Sequence, residues 1–194
     1  MEIQIRPYHE QDLRQVEALD SRVKPYRTED QPEVEAMFQR AKQACEAGDD
    51  LWLPPEPPSV ESEAATDNPL ASWVAVTSSN HAKEQVVGIV EVYRAVANSK
   101  MPQNMPWVQE WLKRNDVAEL RHLRVAPELS RQGIGTRLTR TVIEWCANHG
   151  FGILFLDTTS AQIPALNLYR KLGFREVGRS FYDKYELVWH ELRL

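Results

Sequence analysis

The chain has little cysteine and no excess of positive charge. Its 194 residues include two cysteines, Cys45 and Cys146, which lie far apart in the sequence. We expect both to be buried thiols in a reducing compartment, because a disulfide framework needs more cysteines at closer spacing. The formal net charge is -5, whereas general nucleic-acid-binding proteins usually carry a basic excess. No nucleic-acid partner is therefore expected.

The sequence also shows no long apolar run, and we expect no secretory signal. No apolar stretch approaches the roughly 20 residues that a membrane-spanning helix requires. Residues 1–6 lead directly into an alternating strand pattern rather than a secretory signal. The histidines, cysteines and carboxylates show no spacing typical of metal ligands. We therefore expect a cytoplasmic protein with no metal and no membrane partner.

The length and composition favour one domain over residues 1–194. A chain of this size that is 42% hydrophobic can form one good core but is short for two. Residues 51–71, rich in Pro, Glu, Ser and Ala, are predicted to form a long loop within that domain, and residues 95–115 an insertion. No Lys or Arg occurs between Lys42 and Lys83. This acidic stretch is either a solvated, disordered loop or a rim that attracts a cationic amine.

Hydrophobic periodicity predicts a mixed α/β sheet with helices on both faces. One predicted strand, residues 153–156, is short and wholly apolar, as expected for a strand covered on both faces. A helical face with Trp107 and Trp111 is interpreted first as packing and second as a substrate wall. The predicted strands are 3–6, 72–77, 86–93, 117–125, 153–156, 174–178 and 182–192, and the predicted helices are 11–20, 34–45, 135–149 and a short one around 165–172.

A glycine-containing turn between a strand and a helix carries the first chemical signal. Gly133 and Gly135 allow backbone N–H groups to approach a phosphate, and the helix N-terminus that follows favours an anion. The turn lacks the Lys-Ser/Thr of a nucleoside-triphosphate loop and the third glycine of a dinucleotide fingerprint. A pyrophosphate is therefore favoured over an ATP or NAD site.

Two ordered motifs give a resemblance to a known family. Val125-Ala126-Pro127 followed by Gly133-Ile134-Gly135 resembles the first signature of the Gcn5-related N-acetyltransferase (GNAT) family, a strand ending Val-x-Pro and then Arg/Gln-x-x-Gly-x-Gly/Ala. About 30 residues later, Ala165, Leu168-Tyr169 and Gly173-Phe174 match the second signature, Asn-x-x-Ala-x-x-Leu-Tyr-x-x-x-Gly-Phe. Ser130 and Gln162 depart from the Arg/Gln and Asn positions of these signatures. Neither departure removes the backbone amides of the turn.

The resemblance implies a fold and a donor substrate. The fold would be a mostly antiparallel sheet whose two central parallel strands splay apart, and the donor would be acetyl-CoA. Its pantetheine arm would pair with the first of those strands, and its pyrophosphate would rest on the glycine turn. The implied contacts are Leu123, Arg124, Val125, Arg131, Gln132, Gly133, Ile134, Gly135, Thr136, Gln162 and Tyr169.

The resemblance also implies which groups carry the chemistry of acetyl transfer to a primary amine. Tyr169 would be the general acid for the departing thiolate, with a packed aromatic as the alternative. A backbone N–H near Leu123 or Arg124 would stabilise the oxyanion. Glu119 would be the base that deprotonates the amine, the alternative being a carboxylate paired with a neighbouring arginine. His122 is a second candidate base, which strand alternation places on the opposite face from Glu119.

Two alternatives to this function stay open at the level of sequence. A non-catalytic acyl-CoA-binding or sensing module would keep the glycine turn without needing Glu119 or Tyr169. A nucleotide-phosphate binding domain would prefer ATP or NAD. The acceptor under the transferase reading is a small amine or a peptide, and the resemblance adds a homodimer as an expectation.

Overall fold

The computed structural model describes residues 2–23, 68–79, 82–97, 101–102, 104–182 and 185–194. Within these ranges the chain forms four helices and seven strands, numbered here in chain order. The helices are α1 (Leu13–Asp20), α2 (Pro106–Leu112), α3 (Ile134–Asn148) and α4 (Ile163–Lys171). The strands are β1 (Glu2–Pro7), β2 (Ala71–Ser79), β3 (Ala82–Arg94), β4 (Val117–Val125), β5 (Ile153–Thr159), β6 (Arg175–Tyr182) and β7 (Tyr185–Arg193). The predicted helix over 34–45 and most of the predicted loop over 51–71 lie outside the described residues.

The strands form one sheet in the order β1-β2-β3-β4-β5-β7-β6. Each neighbouring pair is antiparallel except β4 and β5, which run parallel at the centre. The predicted hairpin between β2 and β3 is confirmed, since the pairing extends to Ser79 opposite Ala82. The mixed, mostly antiparallel sheet expected from the sequence is therefore present.

Alternation along the central strands assigns the helices to opposite faces of the sheet. Ala118 pairs with Leu154, and both side chains belong to the core that α3 covers. Phe155, the next residue of β5, belongs to a second core with Trp111 of α2 and Trp189 of β7. We call these the α3 face and the α2 face. Helices on both faces are thus confirmed, and the apolar run in β5 is explained by burial on both sides.

Helix α2 is held to its face by aromatic packing. The indole of Trp111 is fully buried and stacks on the ring of Phe155 at a centroid distance of 4.3 Å. Its Nε1 donates a hydrogen bond of 3.1 Å to Glu191 Oε2, which satisfies the indole N–H where it is buried. The first interpretation of this tryptophan face, packing, is therefore confirmed for Trp111.

The C-terminal hairpin differs from its prediction. The sequence pattern ended one strand at Gly178 and began the next at Tyr182, whereas β6 continues to Tyr182 and pairs it with Tyr185 of β7. The polar residues after Gly178 stay in the strand because they have partners there. Ser180 Oγ accepts a 2.7 Å hydrogen bond from Trp189 Nε1.

An ion pair joins the turn before α1 to β1 and gives a testable stability effect. Asp12 is buried, and its two carboxylate oxygens accept hydrogen bonds of 2.8 and 2.9 Å from the Arg6 guanidinium. The hydrogen bond from Arg6 outweighs burial and lowers the pKa of Asp12. Because the pKa of Asp12 is lower in the folded protein, the ion pair stabilises the fold at pH values above the pKa of Asp12 in the unfolded chain. This stabilisation is lost as the pH falls through the folded-state pKa.

We expect Asp12→Asn to lower the free energy of unfolding at pH 7 by about 1 to 3 kcal/mol, since the guanidinium loses its charged acceptor. The difference from wild type should shrink below about pH 4, where Asp12 protonates in the unfolded chain. Urea unfolding at pH 7 and pH 3.5 measures both. Glu128→Gln, which breaks a pair with Arg22 whose side chains are about half exposed, should have a much smaller effect. Equal losses from the two variants at pH 7 would contradict the proposed role of burial.

Candidate active site

The centre of the sheet opens where β4 and β5 part. The two strands pair only from Val117 opposite Ile153 to Glu119 opposite Phe155, although β4 continues to Val125 and β5 to Thr159. Beyond Glu119, β4 pairs with β3 on one side, and β5 pairs with β7 along its whole length. We call the opening between the two strands the β4–β5 gap. The splayed pair expected from the sequence is confirmed.

A β-bulge in β4 lies beside the gap. Glu91 of β3 pairs with Arg121, and Ile89 pairs with Arg124, so that Val90 faces two residues of β4 instead of one. His122 is one of those two and has a φ of 54°. An extra residue in one strand interrupts side-chain alternation and increases the local twist.

The bulge corrects the predicted orientation of His122. Alternation placed His122 on the face opposite Glu119, whereas its Nδ1 contacts Glu91 Oε2. Glu91 lies on the α2 face, because it pairs with Arg121, two residues after Glu119. His122 and Glu119 therefore lie on the same face. The prediction was wrong because it assumed an unbroken strand.

Residues 131–136 form the turn from the end of β4 into α3. Arg131 and Gly133 have φ values of 65° and 78°, and the first helical hydrogen bond runs from Arg137 N to Gly133 O at 3.0 Å. The amides of Ile134, Gly135 and Thr136 consequently have no carbonyl of a preceding helical turn to bind. A Cβ atom at Gly133 would meet no atom within 4 Å. The turn thus presents unpaired N–H groups next to open space, which suits an anion.

Backbone strain is concentrated around this opening. In the described part of the chain, His122 and Arg131 are the residues other than glycine with positive φ. Such conformations cost of order 1 to 3 kcal/mol each and tend to cluster at functional sites. Both lie on the segment that runs from the bulge of β4 to the start of α3.

The start of α3 packs closely against α4. A Cβ atom at Gly135 would lie 3.2 Å from Leu168 Cδ1, and 3.8 Å from Val125 Cγ2. Leu168 precedes Tyr169 in α4. Glycine at this position therefore allows the turn, the end of β4 and α4 to approach one another.

Tyr169 is buried in α4 at the β4–β5 gap. Its ring contacts Phe174 and His190 at centroid distances of 5.6 and 6.2 Å. Burial raises the pKa of the phenol, Asp157 of β5 raises it further, and Arg124 of β4 opposes the shift. The hydroxyl accordingly keeps its proton at neutral pH and is able to donate it.

The remaining predicted contacts fall on both sides of the gap. Leu123, Arg124 and Val125 lie in the part of β4 that β5 has left. Gln162 is the N-cap residue of α4, and its Oε1 accepts a hydrogen bond of 2.9 Å from Thr158 Oγ1. Gln162 thus binds the end of β5 through its side chain.

Glu119 is paired with a neighbouring arginine, as in the alternative to its role as a base. Its carboxylate Oε2 accepts a hydrogen bond of 2.6 Å from Arg121 Nη2, and its side chain is only 4% exposed. Arg121 in turn places its guanidinium carbon 4.6 Å from the ring centroid of Tyr93. The base candidate is therefore a buried, ion-paired carboxylate at the point where the two strands begin to part.

A second carboxylate on the same face was missed by sequence reasoning. Glu91 is the lone charged residue in the apolar run 86–93, and that isolation was the available signal. Its Oε2 accepts a hydrogen bond of 2.8 Å from Tyr93 Oη and contacts His122 Nδ1, and its Oε1 lies 3.5 Å from Ser72 Oγ. We call Glu91, His122, Tyr93 and Ser72 the Glu91 cluster.

The hydrogen bonds of the Glu91 cluster control its ionisation. Burial raises the pKa of the Glu91 carboxyl, but hydrogen bonds from His122, Tyr93 and Ser72 outweigh it and leave the pKa below its ordinary value. Glu91 is therefore an anion at neutral pH, oriented toward His122.

One buried hydroxyl at the end of β5 was also missed. Thr159 Oγ1 is buried and has no hydrogen-bond partner among the described residues. By alternation from Phe155 it lies on the α2 face. Such an atom costs about 1 to 3 kcal/mol unless another molecule satisfies it. Nothing in the sequence distinguishes Thr159 from an ordinary strand threonine.

The described residues supply neither a metal site nor a membrane span. No group of three or more His, Cys, Asp or Glu side chains within them could hold a metal ion. None of the helices in the same ranges is long and apolar enough to cross a bilayer.

Comparison with known proteins places the chain in a family. The profile of the Acetyltransferase (GNAT) family matches residues 31–174, which include the bulge, the 131–136 turn and Tyr169. The chain belongs to the GNAT acetyltransferase family. The resemblance drawn from the two motifs is therefore confirmed.

Curated relatives of this GNAT chain are N-acetyltransferases. It is 35% identical to human N-acetyltransferase 8 over 120 residues, which are 62% of this chain and 43% of that protein. It is 39% identical to the probable N-acetyltransferase camello of Xenopus laevis over 62 residues, 32% of this chain and 28% of that protein. The chain thus matches less than half the length of these relatives.

Solved GNAT structures share its fold. The Arabidopsis thaliana NAA60 structure in complex with a bisubstrate analogue aligns with a TM-score of 0.63 and 18% identity, covering 100% of this chain and 99% of that one. The NatC complex bound to Gag peptide and CoA gives a TM-score of 0.61 at 16% identity, with the same coverages. At these identities the likeness establishes the fold.

The hydrogen bonds to Glu91 lead to a prediction for its titration. In Tyr93→Phe the carboxylate loses one donor, so its pKa should rise above the wild-type value. Carbon-13 NMR of labelled glutamate carboxyls, followed as a function of pH, measures this shift. Tyr182→Phe, a change at the far end of β6, is the matched control and should leave the Glu91 signal unchanged. An unchanged pKa in Tyr93→Phe would contradict the hydrogen-bond assignment.

Proposed function

We propose that this GNAT protein transfers an acetyl group from acetyl-CoA to a primary amine. The observation that carries the proposal is the β4–β5 gap, which has unpaired amides at one end and the buried phenol of Tyr169 beside it. The family membership and the N-acetyltransferase relatives support the same reaction class.

Acetyl-CoA fits the residues that surround the gap. The amides of residues 131–136 would hold the pyrophosphate, because those of residues 134–136 precede the first helical hydrogen bond and a Cβ atom at Gly133 would meet no atom within 4 Å. The part of β4 over residues 123–125 that β5 does not pair with would bind the pantetheine amides. Gln162 would contribute at the start of α4, where it already binds Thr158.

The chemistry requires a donor for the departing thiolate and a base for the amine. Tyr169 is the general acid in this proposal, since burial keeps its hydroxyl protonated. A backbone N–H near Leu123 or Arg124 would stabilise the oxyanion of the tetrahedral intermediate. Glu119 is the candidate base that the family resemblance supplies, and its ion pair with Arg121 would require a water to relay the proton.

The arginines near the gap divide into two groups. Arg121 is committed to Glu119, and Arg137 donates a 2.9 Å hydrogen bond to Ile3 O of β1. Arg131 lies on the turn itself and is the side chain best placed to offset the charge of a pyrophosphate.

The acceptor class is a small amine, a lysine or a protein N-terminus. Thr159 Oγ1, a buried hydroxyl with no hydrogen-bond partner among the described residues, lies on the same face of the sheet as Glu119 and would suit an acceptor that brings its own hydrogen-bonding group. A single domain, the cytoplasmic location and the homodimer stay predictions.

Donor binding is tested by thermal melting with acetyl-CoA, longer acyl-CoAs, ATP and NAD. Acetyl-CoA at about 100 times its Kd should raise Tm by roughly 5 to 10 °C, and ATP and NAD should not. Gly133→Ala should abolish most of that shift, because alanine disfavours the φ of 78° that shapes the turn and so displaces the amides that would hold the pyrophosphate. Gly150→Ala is the matched control, since Gly150 also has a positive φ (77°) and open space around it, at the far end of α3. A larger shift with ATP or NAD would overturn the donor assignment.

Turnover is tested by coenzyme A release with a short free-N-terminal peptide, Nα-acetyl-lysine and spermidine. Tyr169→Phe should lower kcat by about 100-fold or more if the phenol is the acid, and Glu119→Gln should do so only if its carboxylate, rather than His122, takes the proton of the amine. Melting with acetyl-CoA should show that both variants still bind the donor. Donor binding without turnover on any amine, unaffected by Tyr169→Phe, would instead indicate a non-catalytic acyl-CoA-binding module.

A further inference from the structure

We infer that His122, oriented by Glu91, is the base that removes the proton from the acceptor amine. The inference rests on the proposed acetyltransferase function and assigns a step of it to residues that no family signature contains. It depends on the bulge in β4, the contacts of the Glu91 cluster and the exposure of the imidazole.

The position of His122 is the first argument. The residue lies three positions beyond Glu119, the last residue of β4 that pairs with β5. It therefore lies within the length of β4 that borders the gap, directly before the Leu123–Val125 edge assigned to pantetheine. The bulge turns its side chain to the α2 face and so aligns it with Glu91.

The hydrogen bond to Glu91 is the second argument. A carboxylate that accepts from Nδ1–H fixes the neutral imidazole with its lone pair on Nε2. The same carboxylate stabilises the imidazolium that forms when Nε2 takes a proton. Tyr93 and Ser72 hold Glu91 in this orientation.

Exposure separates His122 from the other candidate base. The His122 side chain is 53% exposed, whereas that of Glu119 is 4% exposed and binds Arg121. A base must come within hydrogen-bond distance of the proton it removes, directly or through one water. The exposed imidazole of His122 is accessible to an acceptor from solvent, whereas Glu119 would need to leave its guanidinium.

Among the described residues, the charged and titratable groups near His122 lie on β3 and β4. Two of them come from β3. Glu91 Oε2 contacts His122 Nδ1, and the Tyr93 ring packs edge to face against the imidazole at a centroid distance of 6.0 Å. From β4 they are the Arg121–Glu119 pair and Arg124, whose Nε lies 3.6 Å from Asp20 Oδ1 of α1. The two arginines are thus paired with other carboxylates, and Glu91 is the anion left to His122.

Protons and electrons balance in the proposed reaction. His122 Nε2 takes one proton from the ammonium form of the acceptor, and the free amine attacks the thioester carbonyl carbon to form the C–N bond. The C–S bond then breaks, and its electron pair leaves with sulfur. Tyr169 gives that sulfur a proton and is reprotonated from the nitrogen of the new amide. His122 releases its proton to solvent, which gives one amide, one thiol and one proton overall.

Imidazole rescue is the deciding experiment. His122→Gly removes the ring, leaves space for a free imidazole and suits the φ of 54°. With the peptide, Nα-acetyl-lysine and spermidine as acceptors, we expect a loss of about 100- to 10,000-fold in kcat/KM. Added imidazole should restore part of the lost kcat/KM in His122→Gly and should not change kcat/KM in Glu119→Gln. His149→Ala, at the exposed C-cap of α3, is the matched control and should retain wild-type activity.

The outcomes distinguish this inference from the proposed function. Wild-type turnover together with loss and rescue in His122→Gly supports the inference. Wild-type turnover with an active His122→Gly, or with a loss that imidazole does not restore while acetyl-CoA still binds, overturns it and leaves the transferase function intact. A wild-type protein that binds acetyl-CoA but acetylates none of the three acceptors overturns the function and the inference with it.

Discussion

The hydrogen bonds that β4 and β5 do not make are the feature on which the site depends. Two parallel strands at the centre of a sheet would ordinarily pair along their shared length, but here the ladder stops after three residue pairs. The bulge at His122 adds twist to β4 just beyond that point. β5 keeps its pairing with β7 and β4 keeps its pairing with β3, so the sheet remains continuous while its centre opens.

The β4–β5 gap lies between groups that favour negative charge and groups that favour positive charge. At one end are the unpaired amides of the 131–136 turn, which favour negative charge. On the α2 face are a buried carboxylate, Glu119, and a partly buried one, Glu91. Arg121 compensates the charge of Glu119, and the other members of the Glu91 cluster compensate that of Glu91. In the proposed function, this separation would let an anionic donor approach from the turn and a cationic acceptor from the face that holds the carboxylates.

Much of this architecture could be predicted from local patterns. The order of strands and helices, the glycine turn and the position of Tyr169 in α4 follow from periodicity and from two motifs. The orientation of His122 could not be predicted, because a bulge depends on the register between β3 and β4 and leaves no mark on β4 alone. Glu91 and Thr159 were missed for a related reason: their importance comes from contacts across strands, such as those of Glu91 with Tyr93 and His122. The end of β6 was misplaced because Ser180 looks like a turn residue until Trp189 is known to bind it.

The close approach at Gly135 has a consequence for how this protein can change. The glycine lies against Leu168, the residue before Tyr169, and the same contact region includes Val125 at the end of β4. An alanine at this position would require the Leu168 side chain to move by a few tenths of an ångström, and a larger residue would press harder on α4 and on the end of β4. Under the proposed function, substitutions at Gly135 would therefore affect the donor-binding turn and the helix that carries the proposed acid, Tyr169, together.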